Sequence, residues 1–143
     1  MGRTAQAPAP DNGTTLTFNE GKAKLTPEVT NNAAVLVLTF RELRRNVETR
    51  MGPANVIITD EYPDHGFYAN VTSLRRIAAL YGNDYSKWTG RQIVLVMMNV
   101  QRVGTTQMTN TYWAADTADD AEPRYSWARL LKEATRRSKA AAK

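Results

Sequence analysis

An all-β fold with one inserted helix is predicted by three features of the chain. Short runs of β-branched and aromatic residues recur through its middle, bounded by Gly, Pro, Asn and Asp. A single stretch of that middle, from Asn70 to Gly82, carries helical spacing, and it falls between the third and fourth of those runs. The length, 143 residues, suits one domain with modest appendages.

Taken in order, Met1 to Gly13 contains Ala7-Pro8-Ala9-Pro10 and Asp11-Asn12-Gly13 but nothing to bury, so it reads as a flexible arm. Thr14 to Phe18 alternates apolar residues with Thr, as a short strand does, before Gly21 and Pro27 interrupt it. Residues 1–30 are therefore expected to be an N-terminal arm. Val35 to Phe40 is a β-branched and aromatic run that continues with interleaved polar residues to Val47; Phe40-Arg-Glu-Leu-Arg-Arg45 is also compatible with a helix, but the run is read as a long first strand. Met51-Gly52-Pro53 makes a turn, Asn55 to Thr59 a second strand, and Phe67 to Ala69 a third, after a polar loop from Asp60 to Gly66.

Asn70 or Thr72 can cap the helix that follows. Leu74, Ile77, Ala78 and Tyr81 form one apolar stripe, and Gly82 ends the helix. Gln92 to Val100 is the fourth strand, and both of its alternating sets are apolar. One set fills an interior; the other needs cover from the termini or from a second subunit. Val103 to Thr106 is a hairpin loop into the fifth strand, Gln107 to Trp113. Three strands, a helix and two strands is the layout of the OB-fold, a small five-stranded Greek-key barrel, here expected over residues 31–116.

Residues 117–143 divide into an acidic spacer, with Asp119, Asp120 and Glu122, and a basic amphipathic helix. Trp127, Leu130, Leu131 and Ala134 form its apolar stripe, and docking through that stripe is the expected arrangement. The net charge of +5 is unevenly spread: residues 1–116 carry a net +2 and residues 124–143 a net +6. Basicity of this kind points to a polyanionic partner. No run approaches the roughly 20 apolar residues of a membrane span, so a cytoplasmic protein without membrane partners is expected.

The chain has no cysteine and one histidine, which argues against zinc and iron–sulfur ligation, thiol nucleophiles and His-dependent triads. Asp60, Glu61, Asp64 and His65 could hold a divalent ion, but on a loop with Pro and Gly they read as a solvated turn. No Walker loop, dinucleotide turn or nucleophile elbow is present. Neither catalysis, a cofactor nor a metal is therefore expected.

Val47-Glu-Thr-Arg-Met-Gly-Pro53, the helix ending Leu80-Tyr-Gly-Asn-Asp84, and Trp88-Thr-Gly90 before a strand together resemble a group of small bacteriophage OB-fold single-stranded DNA-binding proteins, over residues 47–115. The resemblance implies binding of single strands during phage DNA replication or recombination, with proteins of those processes as further partners. One departure is the end of the chain: where bacterial-type single-strand binders carry an acidic tail, this one has Arg136-Arg137-Ser138-Lys139.

Single-strand binding needs cations to follow phosphates and aromatic faces on which bases stack. Arg41, Arg44, Arg45 and Arg50 on the first strand and its turn, and Arg102 in the last hairpin, are the candidate cations; Arg136, Arg137 and Lys139 would add tail contacts. Arg44 and Arg45 equally fit the charges that protect a strand edge. Tyr68, Tyr112 and Trp113 are the candidate platforms, with Tyr68 and Tyr112 expected to face solvent and Trp88 to be structural. The rival reading is a structural or interaction module of a virion or nucleoprotein complex, in which strand four is buried by neighbouring copies.

Overall fold

The computed structural model describes residues 24–49, 52–101 and 104–141. Five antiparallel strands form one open sheet: β1 (Val35–Thr49), β2 (Gly52–Thr59), β3 (Phe67–Ala69), β4 (Gln92–Gln101) and β5 (Met108–Ala114), in the spatial order β3-β2-β1-β4-β5. Helix α1 (Val71–Tyr81) follows β3, and helix α2 (Trp127–Ala141) follows β5. The fold is thus mostly β with the helix inserted where its spacing placed it. The closed barrel is not seen, because β3 and β5 are the two edges and no ladder joins them among the described residues. The strand expected at Thr14 to Phe18 lies outside the described residues.

β1 is shared between two partners. Val35 to Thr39 pairs with β4, whereas Phe40 to Thr49 pairs with β2. The β1–β2 ladder contains two register shifts, between Phe40 and Glu42 and between Arg44 and Val47. Extra residues of this kind bend a strand and sharpen its twist. At the second shift Asn46 has a φ of 56°, a left-handed conformation Asn tolerates, and its N–H donates to Asn55 Oδ1 at 3.3 Å.

Register places the core. Leu36 faces Leu95, Leu38 faces Ile93, and Ala114 faces Leu95, so these residues share the inner side with Phe40, Ile57, Phe67 and Tyr112, all buried. Ile77 of α1 and Trp88 close over them, with the Trp88 ring edge-on to Phe40 at 5.4 Å. Leu25 joins the same core, and its N–H donates to Gly66 O at 2.8 Å.

α1 is bounded by two local devices. Asn70 Oδ1 accepts the Ser73 N–H at 2.8 Å, and Gly82, at φ 90°, donates its N–H to Ala78 O. The helix also serves the open edge of the sheet. Ser73 Oγ accepts the Ala114 N–H at 2.9 Å, and Arg76 Nη1 donates to Ala114 O at 2.8 Å. Among the described residues no strand pairs with the outer edge of β5 at Ala114, and α1 supplies the bonds there instead. Covering an edge with a helix is a common way to blunt it.

After β5 the chain turns back: Asp116 N–H donates to Tyr125 O and Trp127 N–H to Asp116 O. Trp127 is buried and meets the Tyr81 ring edge-on at 6.1 Å, while Leu130 and Leu131 also pack on the core. Val35 and Val96, paired on the outward side of β1 and β4, line one groove with Tyr125 and Leu130. The two-sided burial of β4 is therefore met by the chain's own α2, the terminal cover of the two alternatives the sequence left open.

Candidate nucleic-acid interface

The outward side of β1–β2–β3 is organised by register. Arg44 stands opposite Val56, and Val56 opposite Tyr68, so guanidinium, aliphatic floor and phenol ring form one row across three strands. Val56 and Ile58 are buried beneath this side, with Val47, Ala54 and Tyr68 packed against them. Such a floor fixes the ring without hiding it: Tyr68 is half-buried, and burial pushes its phenol pKa up. Lys24 Nζ lies over the Tyr68 ring, 5.2 Å from its centroid. Arg44 Nη2 donates to Glu42 Oε1 at 3.1 Å.

The remaining candidates are dispersed. Arg41 Nε holds Asp60 Oδ1 at 2.9 Å, both side chains being about half exposed. A surface pair of that kind contributes about 0–1 kcal/mol, so a phosphate can replace the carboxylate at little cost. Arg45 follows the bulge onto the opposite side of β1, toward α1, where it lines a groove with Leu43 and Arg75. Arg50 and Arg102 lie outside the described residues. Arg136, Arg137 and Lys139 are exposed along the last turns of α2, with Lys139 in the final turn, where a cation also complements the helix dipole.

Tyr112 requires a correction. It is 3% exposed rather than solvent-facing, because its register with Met97 turns it inward. Its hydroxyl donates to Ala33 O at 2.6 Å and is hydrogen-bonded to Thr30 Oγ1. Burial pushes its pKa up, outweighing the bond from Thr30. The pairing alternation instead puts Trp113 on the outward side, opposite Val96 and on the far edge strand from Tyr68. Among the described strand candidates, Arg44 and Tyr68 alone are brought into one row.

The loop from Asp60 to His65 is tied to β1. Beyond the Arg41 pair, Glu61 accepts from Thr39 N–H at 2.7 Å and from Thr39 Oγ1 at 2.9 Å. Two of its carboxylates therefore act as clamps on the sheet.

Sequence reasoning missed Lys24, Arg75 and Tyr85. Lys24 belonged to the expected arm. Arg75 shares the stripe Val71, Leu74, Arg75 and Ala78, a second i, i+3, i+4, i+7 set beside that of Leu74, Ile77, Ala78 and Tyr81. Tyr85 sits in a short 3₁₀ turn, Tyr85–Lys87, started by Asp84. The Asp84 carboxylate accepts from Ser86 Oγ and N–H, and these bonds hold its pKa below the usual range.

Compared with known proteins, the chain matches no family model, no curated protein and no solved structure.

Proposed function

We propose that the protein binds single-stranded DNA without sequence preference, along the outward side of β1–β2–β3. The Arg44–Val56–Tyr68 row carries this reading. It sets a cation and, two strands away on the same side, an aromatic ring that Lys24 also approaches, the two components single-strand binding uses. The fold reading that accompanies it is an OB barrel open at one seam. The order β3-β2-β1-β4-β5 with a helix between β3 and β4 supports it, and OB-folds are partly open barrels that bind ligand on the strand 2–3 face. Arg41, close to its exposed carboxylate partner, extends the cationic path, and the α2 cations add contacts outside the sheet.

Action in phage DNA replication or recombination, in the host cytoplasm, follows from the resemblance of residues 47–115. Among the described residues no helix is long and apolar enough to cross a membrane.

Fluorescence anisotropy of a labelled oligo(dT), measured across a salt series, tests the proposal. Tyr68→Ala should weaken binding about tenfold, the typical size of one lost base-stacking contact. Arg44→Ala should weaken it and lower the magnitude of the log–log salt slope by about 0.7, one phosphate contact. Absence of binding by the wild-type chain at low salt overturns the reading.

A further inference from the structure

Arg44 and Arg45 are neighbours on opposite sides of β1, and the side that Arg45 occupies is not part of the row described above. There a groove of about 290 Å³ runs between β1 and α1. That volume is just below the range for small-molecule sites, about 300–1,000 Å³, and suits a ligand no larger than a mononucleotide. Arg45 and Arg75 line it, both exposed, and neither has a carboxylate partner among the described residues. Two guanidiniums on one small groove make it an anion site by charge.

Its remaining lining is of a different kind. Leu43, Val71 and Leu74 give an apolar floor, with Val71 60% exposed. Tyr85 stands at the rim, 38% exposed, and is held edge-on to the buried Trp88 at 6.2 Å between centroids. A ring fixed against a buried partner and still 38% exposed can offer its exposed surface to a base. Asn55 and Asn83 also line the groove; Asn55 Oδ1 accepts the Asn46 N–H, and the amide group of Asn83 is of the type that can meet the polar edge of a base. Asp84, the carboxylate next to Tyr85 in the chain, is occupied by Ser86.

We infer that this groove is a second nucleotide site, in which a phosphate is held by Arg45 and Arg75 and a base stacks on Tyr85. The chemistry stands on the groove alone; only the assignment of its occupant to a bound single strand rests on the function proposed above. A strand lying on the Arg44–Tyr68 row and also entering this groove would grip the β1–β2 hairpin from both sides.

The test uses the full chain and two probes, thymidine monophosphate and oligo(dT). Thymidine monophosphate at millimolar concentration should shift the NMR resonances of Asn83 and Tyr85. The double variant Arg45→Ala/Arg75→Ala should bind it about tenfold more weakly, as expected for loss of charged hydrogen bonds. Both arginines are exposed, so the variant keeps the core, which an unchanged circular dichroism spectrum verifies. Tyr85→Leu should weaken the mononucleotide while retaining the apolar volume. If the double variant also loses affinity for oligo(dT), the groove lies on the path of the strand; unchanged oligo(dT) affinity with weakened mononucleotide binding assigns it to a free nucleotide. Unmoved Asn83 and Tyr85 resonances, or equal mononucleotide affinity in wild type and double variant, overturn the site. Failure of the strand-binding reading is seen separately, as a wild-type chain that binds no oligo(dT).

Discussion

Ser73 shows how much a small side chain can contribute here. It is fully buried, and its hydroxyl accepts the N–H of Ala114 at the open edge of β5. Ser73→Ala keeps the helix and its packing but leaves that N–H unpaired inside the protein. The expected loss is about 1–3 kcal/mol of unfolding free energy, the usual penalty for a stranded buried donor, measured by urea denaturation. A loss under about 0.5 kcal/mol, the size of an ordinary surface substitution, would show that α1 does not satisfy the edge. From the sequence, Ser73 stands one turn before Ile77 on the flank of the apolar stripe, but its polarity gives no sign that it is fully buried. Tyr112 was illegible for a related reason: alternation says that Tyr112 and Trp113 point apart, but which one points inward depends on the pairing with β4.

At the level of elements, α2 has two roles that its sequence pattern separates. Its apolar stripe, led by Trp127, covers the outward side of β1 and β4. Its exposed cations at Arg136, Arg137 and Lys139 lie beyond that contact. Deleting the tail after Asp116 would uncover Val96 as well as remove charge, so it would confuse the two roles. The triple substitution Arg136→Ala/Arg137→Ala/Lys139→Ala removes charge alone. If all three touch phosphate, the salt slope of oligo(dT) binding should fall in magnitude by about 2, and the melting temperature should change little. An unchanged slope would confine strand binding to the sheet. The amphipathic stripe of this helix was readable in advance; its docking face was not, because the stripe fits a neighbouring copy as well as its own sheet.

For the whole molecule, the decisive feature is that one core runs from Leu25 through all five strands to Trp127. The spacer does not separate the tail from the sheet, since Asp116 bonds to Tyr125 and Trp127 across the intervening loop. The described chain should accordingly unfold as a single cooperative unit. Tryptophan fluorescence, dominated by Trp88 and Trp127 in the core, and far-ultraviolet circular dichroism should give coincident urea transitions. Two separated transitions would mean that α2 melts independently of the sheet.

The sequence by itself determined the kinds and order of the elements, because side-chain period, caps and turn residues act over a few neighbours. Asn70 and Gly82 bound α1 as their chemistry requires, and the β-branched runs became strands. It also determined the uneven distribution of charge. Only the tertiary structure decided which residues share a place: the Arg44–Val56–Tyr68 row, the inward turn of Tyr112, the opposite facing of Arg44 and Arg45 around the bulge, and the presence of Arg45 and Arg75 in the lining of one groove. These depend on strand register and on a two-residue irregularity in β1. A shift of one residue in register exchanges the two sides of a strand, so no reading of periodicity alone could place them.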